Sequence, residues 1–144
     1  MQDYIEPLKR VAKVAYSENI TVCLETILTG QELIKLLKLI DLPNVKAVYD
    51  TGNRVAFGHD LAGDIRLLGD HIAHIHIKDK NHNNENVLLG TGLVNFENVF
   101  DALHDINYSG PFTFETTRGS NPIETAKYNI SLVRFFKQNS ELSV

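Results

Sequence analysis

Helical and strand-like periods alternate along this chain almost without interruption, and that alternation limits the folds open to it. Tyr4, Leu8, Val11, Val14 and Ala15 recur three or four apart, so residues 3–18 are expected to form an amphipathic helix with those side chains inward. Four strand-helix units follow. The strands are expected at 20–26, 45–50, within 71–79 and at 112–116, each a short run rich in β-branched or aromatic residues and bounded by polar or glycine-containing turns. Helices are expected at 31–40, 60–69, 95–106 and 122–138, with Asp60 as an N-cap and Pro122 at a first helical position. Thr51, Gly52 and Asn53 read as a turn, and the asparagine-rich stretch at 81–86 reads as an exposed, mobile loop. No two strands are adjacent as a hairpin, so the expected class is α/β, a parallel sheet of four strand-helix units behind a leading helix.

Composition sets the outer bounds. The chain has 144 residues, 43% hydrophobic and 22% charged, which fits one domain spanning 1–144. Cys23 is the single cysteine, so no disulfide framework exists, and a lone thiol fits a reducing cytoplasm. The apolar runs are too short to span a bilayer, and the N-terminus has acids where a secretory leader carries basic and then apolar residues. A net charge of -4 without basic clusters argues against a nucleic-acid partner. The expected class is a cytoplasmic enzyme or binding domain.

The residues able to do chemistry sit at the strand ends. Glu25, Asp50, His76 and Glu115 each close one of the four strands. In parallel α/β folds that edge carries the active site. Three carboxylates and an imidazole suit a divalent cation such as Mn²⁺. Taken singly, a carboxylate there caps the next helix or faces solvent, and a strand histidine is a satisfied core group. Recurrence on four successive strands is what raises the metal reading beside that plainer one. His74, His76 and Lys78 share one face of the third strand, opposite Ile75 and Ile77. His76 lies nearer the C-terminal end and is the expected ligand, with His74 as its support or a substrate contact. Lys78 either meets an anionic or hydroxylated substrate or is a solvated lysine. Asp79 has the opposite parity and is expected to anchor the loop that follows. Gly90-Thr91-Gly92 is either a plain turn or a place where backbone amides approach a phosphate.

Four segments carry a resemblance. Val48-Tyr49-Asp50-Thr51-Gly52, His74-Ile75-His76-Ile77-Lys78-Asp79, Leu89-Gly90-Thr91-Gly92-Leu93-Val94-Asn95-Phe96 and Tyr108-Ser109-Gly110-Pro111 resemble, in order, the xylose isomerase-like TIM-barrel superfamily. Within it they look most like sugar and sugar-phosphate isomerases and epimerases, over about Val22 to Phe136. The resemblance implies a divalent metal held by Glu25, Asp50, His76 and Glu115. Mn²⁺ is the first expectation, with Mg²⁺, Co²⁺ or Zn²⁺ as alternatives. It also implies a ketose 3-epimerase-like reaction through an enediolate, with Glu25 and Glu115 as the acid/base pair. An inosose dehydratase-like elimination and a non-catalytic half-barrel subunit are the alternative readings.

The sequence departs from that pattern in three places. Asn53 stands where these epimerases often have a substrate-binding histidine, and with His74 and Lys78 it makes the expected substrate set. The arginine common after the His-Ile-Lys-Asp strand is absent, leaving Arg54 or Arg118 as the nearest stand-ins, and Asn95 replaces a frequent aspartate. Length is the larger departure, since a TIM barrel takes eight units and about 250 residues. The chain matches the C-terminal half, which leaves two open edge strands and, by expectation, an apolar concave face. The expected partners are therefore a small sugar or sugar phosphate and either a second copy of the chain or a complementing half-barrel.

Overall fold

The computed structural model describes the backbone of residues 2–142 and the side chains of 4–140. Four strands, β1 (Val22–Glu25), β2 (Val45–Asp50), β3 (Ile72–Ile77) and β4 (Phe112–Phe114), form one sheet in the order β1-β2-β3-β4. All neighbours run parallel. The helices are α1 (Gln2–Ser17), α2 (Gly30–Ile40), α3 (Thr51–Ala56), α4 (Leu61–Leu68), α5 (Phe96–Asp105) and α6 (Pro122–Leu142). Helix α6 runs past its expected end at 138. Among the described residues no helix is long and apolar enough to cross a membrane.

Strand parity divides the sheet into a core face and a working face. Ala47, Tyr49, Ile75 and Ile77 are fully buried against Leu33 and Leu37 of α2, Ile65 of α4 and Val99 of α5. The alternate residues, Cys23, Val48, His74 and Thr113, point the other way. The expected apolar concave face is thus not found, because three of these four are polar, thiol or imidazole groups and Thr113 is exposed. The register keeps the rows aligned, with Asp50 beside His76 and His76 beside Thr113. A bulge between Ala47 and Val48 absorbs the extra residue Ala73 and keeps Ile72 on the core side. The amide of Glu115 donates to the carbonyl of Ile77 at 3.1 Å, which extends the ladder one residue beyond β4.

Four local expectations need correction or refinement. On α1, Ile5, Leu8 and Ala12 pack inward, while Tyr4, Val11 and Val14 are 78%, 59% and 69% exposed. That helix is apolar over more than one stripe, and the available neighbours cover only the 5-8-12 stripe. Strand β1 starts at Val22, because Asn19 takes a positive φ of 57° and leaves Ile20 in the turn. Buried Asn44 then ties that turn down, donating from Nδ2 to the carbonyls of Ala12 (2.8 Å) and Ile20 (3.1 Å). Residues 51–53 begin helix α3 instead of forming a simple turn, because the Asp50 side chain accepts from the Asn53 amide at 2.7 Å and caps it. The 81–86 stretch is exposed but built as a hydrogen-bonded turn. Asn81 Oδ1 accepts from the amides of Asn83 and Glu85, and Lys80 bridges to Asn86.

Candidate metal centre

Each of the four strands delivers one side chain to the same end of the sheet. Glu25 closes β1, Asp50 closes β2, His76 lies one residue before the end of β3, and Glu115 follows β4. One donor atom from each lies within 4.8 Å of the other three. His76 Nδ1 is at the middle of the group, 3.3 Å from Glu115 Oε1, 3.7 Å from Glu25 Oε2 and 3.9 Å from Asp50 Oδ2. It is buried, and none of these contacts has hydrogen-bond geometry. A buried ring nitrogen facing three carboxylate oxygens without a hydrogen bond is an incomplete arrangement by itself. Donors bound at roughly 2.0–2.2 Å around one cation stand about 3–4 Å apart, close to the spacing here. The residues present therefore fit a divalent cation.

Asp50 serves as cap and cluster member at once. Its Oδ1 takes the Asn53 amide, and its Oδ2 faces the cluster while accepting from Asn53 Nδ2 at 3.1 Å and Lys78 Nζ at 2.8 Å. The helix-cap reading and the ligand reading of a strand-end aspartate are thus compatible. Lys78 Nζ also reaches Glu115 Oε2 at 2.7 Å. Burial acts to lower the pKa of the Lys78 amine, but hydrogen bonds and charge from Asp50 and Glu115 outweigh it and raise the value. The Lys78 hydrogen bond in turn holds the Glu115 carboxyl below its ordinary value, against a smaller opposing effect of burial. Exposure separates the four residues: the Asp50 and His76 side chains are 3% and 14% exposed, those of Glu25 and Glu115 43% and 40%.

The three residues expected to touch substrate are engaged with protein groups. Asn53 and Lys78 bind Asp50 as described. His74 lies one pleat below the cluster, its Nε2 2.7 Å from Thr113 Oγ1 and its ring edge-on to His76 at 5.2 Å. Arg54 is no stand-in for the absent arginine. It is fully buried, donates to the Leu28 carbonyl (2.7 Å) and Asp64 Oδ2 (3.1 Å), and lies 4.4 Å over the Tyr49 ring. By holding Leu28 it fixes the loop that follows Glu25. Sequence reasoning missed this role, and the only signal was an arginine just after the second strand with an aspartate ten positions on. Arg118 is exposed in the loop after β4.

Asp79 anchors its loop as its parity predicts. Fully buried, it accepts from the amides of Lys80 and Val94 through Oδ1, and of Gly90 and Gly92 through Oδ2, at 2.9–3.0 Å. The Gly90 and Gly92 amides are therefore committed to a carboxylate of the chain itself, which sets aside the phosphate alternative for them.

Comparison with known proteins adds a family. The model of the xylose isomerase-like TIM barrel matches residues 1–137. The chain belongs to that family. Among the relatives of this xylose isomerase-like chain is a D-psicose 3-epimerase of Ruminiclostridium cellulolyticum, 30% identical over 119 residues, which cover 77% of this chain and 39% of the relative. An inosose dehydratase of Clostridium tetani is 26% identical over 151 residues, covering 87% of this chain and 51% of that protein. The solved structure of D-psicose 3-epimerase with D-tagatose from Clostridium cellulolyticum H10 superposes with a TM-score of 0.74 at 25% identity, covering 92% of this chain and 55% of that one. A structure of L-ribulose 3-epimerase gives a TM-score of 0.84 at 20% identity and shares the fold. The chain thus spans about half the length of the relatives it matches, or less.

Asp79→Ala would leave four amides without their acceptor, a loss of about 3 kcal/mol or more in denaturant unfolding. Amide hydrogen exchange at Gly90, Gly92 and Val94 is expected to accelerate, with the amides of α2 unchanged.

Proposed function

We propose that this chain is the metal-binding half of a divalent-metal-dependent sugar or sugar-phosphate isomerase/epimerase that acts on ketoses in the manner of a 3-epimerase. The observation that carries this reading is the buried, unbonded His76 Nδ1 facing oxygens of Glu25, Asp50 and Glu115. Relatives with ketose 3-epimerase names support the substrate class. Mn²⁺ is the proposed metal, because three carboxylates with one imidazole make an oxygen-rich set of mixed hardness. A cation bound here supplies a Lewis acid that polarises a ketose carbonyl and its neighbouring hydroxyl.

The chain's own residues divide the remaining work. Asp50 and His76, both well buried, hold position. Glu25 and Glu115 are open to the mouth of the sheet and stand on its two outer strands, so that a sugar between them meets a carboxylate on each side. One removes the proton beside the carbonyl, and the other returns a proton to the opposite face, which inverts the centre. The Lys78 hydrogen bond lowers the pKa of Glu115 and keeps it ionised in the resting site. Asn53, beside Asp50 at the same end, is the proposed substrate contact. The likeness to an inosose dehydratase favours a second reading, in which the same carboxylates eliminate water.

Edges β1 and β4 and the uncovered stripe of α1 support closure by a second half-barrel. A second copy of the chain is the proposed partner, and sedimentation equilibrium should then return the mass of two chains. A mass of one chain would oppose it. For the site, stoichiometric Mn²⁺ binding is expected for the wild type and its loss in Glu115→Gln. Solvent deuterium should enter a ketose substrate at the carbon that epimerises. Absence of metal binding would sink the reading, and water loss from an inosose without ketose exchange would transfer it to the dehydratase.

A further inference from the structure

Lys78 lies one residue beyond β3, yet its side chain is only 10% exposed, and the Asp50-Thr51-Gly52-Asn53 segment is shaped around it. Thr51 Oγ1 accepts from the Lys78 amide at 3.0 Å and donates to the Lys78 carbonyl at 2.6 Å, which fixes the backbone. Any side chain at position 52 would bring its Cβ within 2.6 Å of Lys78 Cγ and 2.9 Å of Lys78 Cβ, so glycine alone leaves room for the stem. Asp50 Oδ2 takes the ammonium at 2.8 Å, and Asn53 Oδ1 lies 3.5 Å from it. Four consecutive residues thus fix one lysine, two of them by its amine, and the amine also grips Glu115 at 2.7 Å. The Asp-Thr-Gly and His-Ile-Lys-Asp segments, separate in sequence, are one physical unit.

We propose that Lys78 is the resident counter-cation of the metal centre and sets its charge. This rests on reading the cluster as a metal centre. Glu25, Asp50 and Glu115 bring three negative charges together. One ammonium and one divalent ion neutralise them when His76 is neutral, as a ligand must be. Without the ammonium, a divalent ion would leave a net negative charge, and a trivalent ion would be the neutral match. The ammonium holds Asp50 and Glu115 in place when no metal is bound. Being itself positive, it also weakens the attraction felt by an incoming cation. Lys78 therefore keeps the empty site assembled, leaves the metal exchangeable, and favours divalent over trivalent ions.

The test compares the wild type with Lys78→Met, which keeps an apolar stem and removes the charge, and with Lys78→Gln as a second neutral replacement. Mn²⁺ and Tb³⁺ affinities are measured by calorimetry, and melting temperatures with a chelator and with Mn²⁺. The proposal predicts a lower melting temperature in chelator for the variants and its recovery in Mn²⁺. It also predicts Mn²⁺ binding at least about tenfold tighter than wild type, with a larger gain for Tb³⁺. Equal or weaker Mn²⁺ binding by the variants would overturn it and leave Lys78 a purely geometric support. Failure of both variants to fold with or without Mn²⁺ would overturn it as well. A wild type that binds no divalent ion would instead overturn the metal reading beneath it.

Discussion

Three carboxylates converge with one imidazole within 4.8 Å, and like charges at that spacing need a cation among them. Much of the surrounding structure answers that demand. Lys78 bonds Asp50 and Glu115, Asn53 bonds Asp50, and helix α3 places its N-terminus on the same Asp50 carboxylate. Exposed Glu25 and Glu115 keep one side open to solvent, which is where further positive charge can enter. The site is thus a concentration of negative charge that the chain balances in part from its own residues.

Parallel strands make this convergence possible. Each crossover returns the chain in the same direction, so the C-terminal ends of successive strands line one edge. Alternation then places apolar residues such as Tyr49 and Ile75 against the helices and leaves Asp50 and His76 on the other face. The edge strands bound the arrangement. Strands β1 and β4 carry the two glutamates and also the unpaired edges, so whatever covers those edges also frames the site.

Much of this was legible in the sequence, for definable reasons. Alternation in the third strand placed His74, His76 and Lys78 on one face and Asp79 on the other, and strand ends are where parallel folds gather polar groups. What escaped the sequence depends on neighbours far along the chain. The inward face of α1 is chosen by Asn44 and α2, so Tyr4, Val11 and Val14 could not be separated from Ile5 and Ala12 by periodicity alone. Thr51-Gly52-Asn53 has turn composition, and only the cap from Asp50 makes it a helix. Arg54 was legible as a charge but not as a buried one, because Tyr49, Leu28 and Asp64 meet it only in the folded chain.

The central claim is that these four side chains hold one divalent cation with a single imidazole among its ligands. Electron spin-echo modulation of the Mn²⁺-loaded protein reads nitrogen bound to the metal directly. The account predicts coupling to one histidine nitrogen, abolished in His76→Ala and retained in His74→Ala. Absence of nitrogen coupling, or coupling that survives loss of His76, would contradict it.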